Sequence, residues 1–166
     1  MTIQEIIGAK ILTGDALSRQ LAIWRFKDLQ IVFTNGCFDL IHYGHLAYLM
    51  DARACGHKLI VGLNSDASVS RLKGPNRPIK DQSSRLWLLA SMAFVDAVTV
   101  FDQDTPLELI REVMPDILVK GGDYAPDQIV GAEEVIANGG QVKVLPFVDG
   151  YSTTSLEQKI LSRPES

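Results

Sequence analysis

Cysteine is scarce in this sequence. Only Cys37 and Cys55 occur in 166 residues, too few for the disulfide framework that holds small secreted domains together. No apolar run approaches the roughly 18 residues of a membrane-spanning helix, and the N-terminus has no signal-peptide core. We therefore expect a cytoplasmic protein that binds no membrane.

An excess of positive charge is absent as well. Sixteen lysines and arginines stand against 20 acidic residues, which gives a net charge of −4. Duplex binding usually needs a basic face, so we expect no nucleic acid among the partners, whereas a small anionic ligand responds to the local field and is not excluded. Neither Walker A nor G-x-G-x-x-G is present, which argues against a P-loop enzyme and against a dinucleotide-binding Rossmann enzyme.

What the chain does have is a regular alternation of apolar runs and segments with helical spacing. The apolar runs are residues 31–33, 59–63, 97–101, 117–119 and 142–145. Near-continuous apolar strands that alternate with amphipathic helices indicate a parallel sheet covered on both faces. We predict one α/β domain with a Rossmann-like, doubly wound, parallel five-stranded sheet. Residues 1–28 are expected to form a helical extension packed on that domain, which itself spans residues 29–166.

Polar, glycine-bearing segments follow the predicted strands. In a doubly wound sheet, ligands bind beyond the carboxyl ends of the strands. Four segments share that position, namely Thr34–Cys37, Asn64–Asp66, Lys120–Tyr124 and Ser152–Thr154. The sequence therefore predicts a site at one edge of the sheet.

Two histidines stand where the first of these segments enters a helix. His42 and His45 share one face of a first helical turn, and Gly44 between them lets a ligand approach the backbone. Imidazole and free helix N–H groups there can hold a phosphate and stabilise charge in a transition state. Two other interpretations stay open. One is a structural cap or polar surface, and the other is a metal pair with Asp39 or Cys37, although no third ligand has zinc spacing.

A group of cations follows the second strand. Glycine and proline interrupt it, which predicts a loop containing Arg71, Lys73, Arg77 and Lys80. Such a loop either closes on a phosphate or is ordinary solvated surface. Arg85, in a helix that begins near Asp81, has a planar fork suited to a polyphosphate.

The remaining candidates also have two interpretations each. Cys37 is either a nucleophile or a small buried residue. Asp39 and Asp66 either cap helices or hold a substrate hydroxyl group. The segment Gly121–Tyr124 either meets a nucleotide base or forms a plain turn. Ser152–Thr154 caps the last helix, holds a second phosphate, or does both.

Taken together, these segments resemble the cytidylyltransferase-like nucleotidyltransferases. The resemblance spans nearly the whole chain and rests chiefly on Asn35-Gly36-Cys37-Phe38-Asp39, His42-x-Gly44-His45, Lys120-Gly121-Gly122-Asp123-Tyr124 and Ser152-Thr153-Thr154. Within that family, the pattern is most similar to the adenylyltransferases that act on D-glycero-β-D-manno-heptose 1-phosphate. That activity often occurs as the C-terminal domain of a bifunctional protein with a sugar kinase.

The resemblance implies a reaction and its components. AMP would pass from ATP to the heptose 1-phosphate, giving ADP-heptose and pyrophosphate for lipopolysaccharide core synthesis. Mg²⁺ would be held mainly by the phosphates, with no metal site on the protein and no covalent enzyme intermediate. A homodimer or larger homo-oligomer is implied, together with a separate heptose kinase and phosphatase in the pathway.

The resemblance also implies residue roles. Catalysis would fall to His42, His45, Lys73 and Arg85. Nucleotide and phosphate binding would fall to Thr34, Asn35, Gly36, Cys37, Phe38, Gly44, Lys120, Gly121, Gly122, Asp123, Tyr124, Ser152, Thr153 and Thr154. The sugar phosphate would meet Asp39, Asn64, Asp66 and Arg71.

One departure from the family pattern bears on the nucleotide. Related glycerol-3-phosphate cytidylyltransferases have arginine-threonine-glutamate-glycine before the Ser-Thr-Thr segment, whereas this chain has Phe147-Val148-Asp149-Gly150. Loss of that arginine favours ATP over CTP, and Tyr43 and Tyr151 alter the rim of the site. Two alternatives stay open, namely a CTP-dependent enzyme that acts on glycerol 3-phosphate and a nucleotide-binding module without turnover.

Overall fold

Helices and strands alternate along nearly the whole chain, of which the computed structural model describes residues 1–122, 124–125 and 128–162. Their order is α1 (Ile3–Gly8), α2 (Gly14–Phe26), β1 (Ile31–Gly36), α3 (Tyr43–Ala54), β2 (Lys58–Asn64), α4 (Asp66–Lys73), α5 (Gln82–Ser91), β3 (Ala97–Phe101), α6 (Leu107–Val113), β4 (Ile117–Gly121), α7 (Ala132–Ala137), β5 (Gln141–Leu145) and α8 (Thr153–Leu161). In the described part of the chain, no helix has the length and apolarity needed to cross a bilayer.

The five strands form one parallel sheet in the order β3-β2-β1-β4-β5. This confirms the predicted Rossmann-like, doubly wound sheet. Strand order reverses between β1 and β4, where the two halves of the chain diverge to opposite sides. In such sheets a crevice opens at this point beyond the carboxyl ends of the strands.

The core lies on both faces of the sheet because successive side chains of each strand point in opposite directions. Phe33 and Ile60 pack on one face with residues of α2, α6 and α7. Val32 and Val61 pack on the other face with residues of α3 and α5. A strand buried on both faces must be apolar throughout, which explains the continuous apolar runs of the sequence.

Residues before β1 cover an edge and a face of the sheet. The backbone of Val98 in β3 donates to Lys10 and accepts from Leu12, which extends the sheet by an isolated bridge beyond its edge strand. Leu17 and Leu21 of α2 are buried in the core cluster that contains Phe33. The N-terminal segment therefore contributes to the core of the sheet.

One local prediction is wrong. Arg71 and Lys73 were expected in a loop with Arg77 and Lys80, but α4 continues through Lys73. Its N-cap Ser65 accepts a hydrogen bond from the N–H of Ser68, and this capping stabilises the helix that precedes the glycine. Only after Gly74, which ends the helix with a φ of 98°, does the predicted loop begin.

A substitution in α2 tests whether the N-terminal segment is part of the folding unit. Leu17→Ala should lower the free energy of unfolding by about 2–5 kcal/mol, because it leaves a cavity in the core. Ile23→Ala is the matched control, since Ile23 lies in the same helix but is 48% exposed. Urea unfolding measures both variants. Equal small effects would show that α2 does not share the core of the sheet.

Candidate active site

The crevice at the switch in strand order consists of two adjoining cavities. His45, Tyr48, Phe147 and Thr153 line both of them. The first cavity is completed by His42, Gly44, Val148, Tyr151 and Ser152. The second is completed by Asn35, Gly36, Cys37, Phe38, Asp39, Lys73, Lys120, Gly121 and Tyr124. The crevice thus brings together polar segments that lie far apart in the sequence.

The two histidines meet at the start of α3. His42 is the N-cap residue, and its ring centroid lies 4.0 Å from that of His45 in the first turn. The backbone N–H of His42 donates to Nδ1 of His45 over 3.3 Å. In neutral imidazole only one nitrogen carries hydrogen, so this bond assigns the proton of His45 to Nε2. Nδ1 of His42 is buried and has no partner among the described residues.

Both imidazoles favour the neutral form. Burial, the neighbouring His42 and the positive charge of Lys73 lower the pKa of His45 from 6.5 to about 4. Burial also lowers the pKa of His42. Near neutral pH, His45 is therefore a neutral hydrogen-bond donor and a weak base.

Two glycines lie in close contact with aromatic side chains at this edge. A Cβ on Gly44 would lie 3.0 Å from the His42 ring and 3.1 Å from Cβ of Tyr151. A Cβ on Gly36 would lie 2.9 Å from the ring of Phe38, which folds back from a left-handed backbone with a φ of 47°. Gly36 and Gly44 therefore allow the aromatic groups to pack against the backbone at this edge.

Two helix N-termini open toward the crevice. The first turn of α3 lies beside His42, and α8 begins with Thr153 after its N-cap Ser152. The Ser152 hydroxyl accepts from the N–H of Ser155 over 3.0 Å, which confirms the predicted cap. The His45 N–H donates to the His42 carbonyl, whereas the N–H groups of Tyr43 and Gly44 in α3 and of Thr153 and Thr154 in α8 have no acceptor among the described residues. These free groups and the positive ends of both helix dipoles attract an anion.

Two lysine side chains also line the second cavity. Lys73 comes from the last turn of α4 and Lys120 from the end of β4. Burial lowers the pKa of Lys120, and the nearby Cys37 opposes that shift. Burial raises the pKa of the Cys37 thiol despite the nearby Lys73 and Arg85. A protonated thiol near neutral pH argues against the interpretation of Cys37 as a nucleophile.

Arg85 lies behind the crevice and is fully buried. Its guanidinium donates to the carbonyls of Cys37, Asn64 and Lys80 over 2.7, 2.9 and 3.1 Å. Its remaining terminal nitrogen pairs with Asp66 over 2.7 Å. The structure thus ties Arg85 to the protein on every side, which leaves no free fork toward a polyphosphate.

Asp39 faces the crevice, but its carboxylate is used by the protein. It accepts from the backbone N–H groups of Ile79 and Lys80 at 2.9 Å and pairs with Arg77 at 3.0 Å. Burial alone would raise the pKa of Asp39, but the N–H groups of Lys80 and Ile79 and the Arg77 guanidinium outweigh it and lower that pKa. Asp39 thereby fixes the loop that follows Gly74.

Other predicted residues lie at the margin of the crevice or behind it. The Thr34 hydroxyl is buried against that of Tyr48 at 2.6 Å, and the Asn64 side chain donates to Ser68. Arg71 pairs with Asp104 at 2.7 Å on the exposed side of α4. Gly122 has a φ of 114° beside Phe147, and Thr154 is exposed. Asp123 lies outside the described residues.

Tyr48 and Phe147 line both cavities but were not predicted as parts of the site. Tyr48 follows His45 by three residues, a spacing that puts both on one helix face. That spacing was the available signal, but a tyrosine in an apolar stripe also suits the core. Burial raises the pKa of its hydroxyl to about 12, and the hydroxyl donates to the carbonyl of Val119. Tyr48 is therefore part of both the core and the crevice wall.

The donors around the crevice are imidazole, ammonium and amide groups. Within the described residues, no three side chains of His, Cys, Asp or Glu converge as metal ligands. The crevice therefore suits an anion.

The strand order and the crevice at its switch point define a Rossmann-like α/β protein with a site suited to an anion. Residues 33–159 match the profile of the cytidylyltransferase-like family, and the chain belongs to that family. This confirms the predicted membership of the nucleotidyltransferases.

Two curated proteins are more than 50% identical to this chain. The chain is 54% identical over 155 residues to "Bifunctional protein HldE" of Trichlorobacter lovleyi. The aligned residues cover 93% of this chain and 32% of that protein. It is 52% identical over 157 residues to the Haemophilus ducreyi protein of the same name, with 95% and 33% covered. The chain thus spans about a third of the length of these relatives.

Solved structures support the fold. The lipopolysaccharide core biosynthesis protein from Thermoplasma volcanium has 30% identity and a TM-score of 0.59, covering 75% of this chain and 99% of that one. Pantoate-beta-alanine ligase from Francisella tularensis has a TM-score of 0.54, covering 89% and 75%, but its 13% identity shows the fold alone.

The low pKa of His45 can be measured by NMR titration of its ring protons. The free protein should give a midpoint near 4, and an anion bound in the crevice should raise it because negative charge favours imidazolium. The folded state disfavours protonation of His45. The contribution of His45 to the free energy of unfolding is therefore greatest above pH 6.5 and declines as the pH falls from 6.5 toward 4. A midpoint at or above 6.5 in the free protein would contradict the buried, neutral donor.

Proposed function

We propose that the protein transfers AMP from ATP to D-glycero-β-D-manno-heptose 1-phosphate and releases pyrophosphate. The observation that carries the proposal is the histidine pair at the N-terminus of α3, which shares a crevice with Lys73 and Lys120. The HldE and lipopolysaccharide names of similar proteins support the sugar substrate.

The reaction needs positioning and charge stabilisation more than acid–base chemistry. A phosphate oxygen of the sugar 1-phosphate is already anionic, so it attacks the α-phosphorus of ATP without a general base. The new P–O bond forms as the bond from the α-phosphorus to the bridging oxygen breaks, and pyrophosphate leaves with that electron pair. A histidine with a pKa of about 4 suits this scheme as a hydrogen-bond donor.

We assign the phosphates to the middle of the crevice. Nε2–H of His45 and the free N–H groups of α3 and α8 supply donors there. Lys73 and Lys120 supply positive charge in the cavity that His45 also lines. His42 supports His45 through the bond from its backbone N–H. Asn35–Phe38 bring the end of β1 against the phosphates.

We assign the base to the cavity that ends at Tyr151. Tyr48 and Phe147 line it, with ring centroids 6.5 Å apart, and the Tyr151 ring stacks at 23° to that of His42. Flat apolar walls suit a purine. The sugar then occupies a third cavity, which shares Asn35, Lys120 and Tyr124 with the second cavity. Its other lining residues are Pro106, Leu118, Gln128, Ile129 and Val130.

Magnesium enters this scheme as part of its nucleotide substrate. The carboxylate of Asp39 lines the second cavity, but it is paired with Arg77 and accepts from two backbone N–H groups. The donor set fits an ion that the phosphates hold. Magnesium would neutralise phosphate charge, while the protein supplies the surrounding donors.

Arg85 and Asp39 were expected to contact the substrates, and we assign them different roles. Arg85 acts through the carbonyl of Cys37, which lines the crevice, and ties the end of β2 to it through the carbonyl of Asn64. Asp39 acts through the loop after Gly74. Both are therefore positioning residues in this proposal.

A substrate screen tests the function. Pyrophosphate release should require ATP together with the heptose 1-phosphate, and the product should contain AMP joined to the sugar phosphate. The screen pairs four nucleoside triphosphates with heptose 1-phosphate, other sugar 1-phosphates and glycerol 3-phosphate. Release only with CTP and glycerol 3-phosphate would overturn the proposal, and ATP binding without release would identify a module without turnover.

Replacing His45 tests the mechanism. His45→Ala should lower kcat by roughly 10²-fold, the scale of losing one preorganised donor, with part of the ATP binding retained. His57→Ala is the matched control, because His57 lies at the opposite edge of the sheet and accepts from the backbone N–H of Gln30. Steady-state pyrophosphate assays compare the two. An unchanged kcat in His45→Ala would remove this residue from the catalytic group.

A further inference from the structure

Arg77 joins three segments around the crevice. One terminal nitrogen pairs with Asp39 over 3.0 Å, and the other pairs with Glu157 of α8. The Arg77 carbonyl accepts from the hydroxyl of Ser70 in α4. The side chain is only 20% exposed, so this contact is partly screened from water.

Asp39 gives Arg77 a fixed support. The carboxylate is 1% exposed and also accepts from the backbone N–H groups of Ile79 and Lys80. A guanidinium has a planar fork whose two ends can serve different carboxylates at once, whereas an ammonium is a single point charge. Arg77 can therefore hold Glu157 in a defined place relative to the loop that follows β1.

The helix on the other side of Arg77 has little else to hold it. None of the residues of α8 is fully buried. Among the described residues, Arg77–Glu157 is the one ion pair that connects α8 to the rest of the fold. The N-terminus of α8, with Thr153, nevertheless lines both cavities of the crevice. The position of this wall therefore depends strongly on one contact.

We propose that Arg77 is a positioning residue that sets nucleotide affinity by holding the N-terminus of α8 over the phosphates through Glu157. This inference rests on the proposed function, because it assumes that the crevice takes a nucleoside triphosphate. Arg77 itself does not touch the reacting atoms. Loosening α8 removes donors of Ser152 and Thr153 from the nucleotide, while His42, His45 and Lys73 stay in place. Nucleotide binding should then weaken more than the chemical step.

Glu157→Gln is the cleanest variant, because it removes one charge at the surface and leaves the buried Asp39–Arg77 pair intact. It should raise both KM and Kd for ATP by about five- to tenfold, the scale of one net hydrogen bond, and leave kcat within about twofold. Arg77→Lys should do the same, because one ammonium cannot bridge both carboxylates. The double variant should be no worse than the stronger single one, since both changes break the same contact.

Arg111→Gln is the matched control. It breaks an arginine–glutamate pair of 2.7 Å between α6 and Glu134 of α7, remote from the described contacts of Arg77. ATP binding by calorimetry, pyrophosphate release and thermal unfolding are measured for every variant. A uniform loss of stability without a selective change in ATP affinity would assign Arg77 a merely structural role.

The outcomes separate this inference from the proposed function. If ATP binds and Glu157→Gln and Arg77→Lys bind it as tightly as the wild type, the inference is overturned, whatever the acceptor. If these variants weaken ATP binding but no acceptor yields pyrophosphate, the role of Arg77 stands and the proposed reaction is overturned. If the wild type does not bind ATP, both are overturned.

Discussion

A buried guanidinium organises the edge of the sheet on which the site lies. Taking an ion out of water costs several kcal/mol unless it is paired and hydrogen-bonded throughout. Arg85 meets that requirement with the carbonyls of Cys37, Asn64 and Lys80 and with the carboxylate of Asp66. The ends of β1 and β2 and the loop before α5 are therefore held in one arrangement. The histidine motif follows directly from the end of β1.

Around this support, the protein builds a local positive field in a chain of net charge −4. Two helix N-termini and two lysines surround the middle of the crevice, and its lining carboxylate is neutralised within the protein. Such fixed donors need little reorganisation when charge develops on a phosphate, which is the property that favours catalysis. The low pKa of His45 fits this arrangement, because in the free protein Nδ1 stays unprotonated near neutral pH and can accept from the His42 N–H, while Nε2–H is left to donate.

Sequence patterns predicted the fold and the edge of the sheet at which the crevice lies, because both follow from local rules. Continuous apolar runs identify parallel strands buried on both faces, and the ends of such strands meet at one edge. The loop predicted at Arg71 and Lys73 was wrong, since a capped helix upstream of Gly74 overrides local charge and proline signals. Boundary errors of this kind arise where neighbouring signals compete.

The partners of Arg85 and Asp39 could not be read from the sequence. Charged residues are usually exposed, and only the folded arrangement shows that Arg85 is enclosed by segments from residues 37, 64, 66 and 80. Asp39 likewise meets Arg77, Ile79 and Lys80 across 38 to 41 positions of the chain. Long-range satisfaction of buried charge leaves no periodic signal. The same holds for Tyr48, whose apolar neighbours conceal its place in the crevice wall.

In the proposed function, the phosphates of a nucleotide bind where the N-termini of α3 and α8 face Lys73 and Lys120. The most direct measurement is the change in backbone amide NMR shifts when a non-hydrolysable ATP analogue is added. We predict the largest changes at Gly44, His45, Lys120 and Thr153. Changes concentrated at the opposite edge of the sheet, around His57 and Asp116, with those four amides unmoved, would contradict the account.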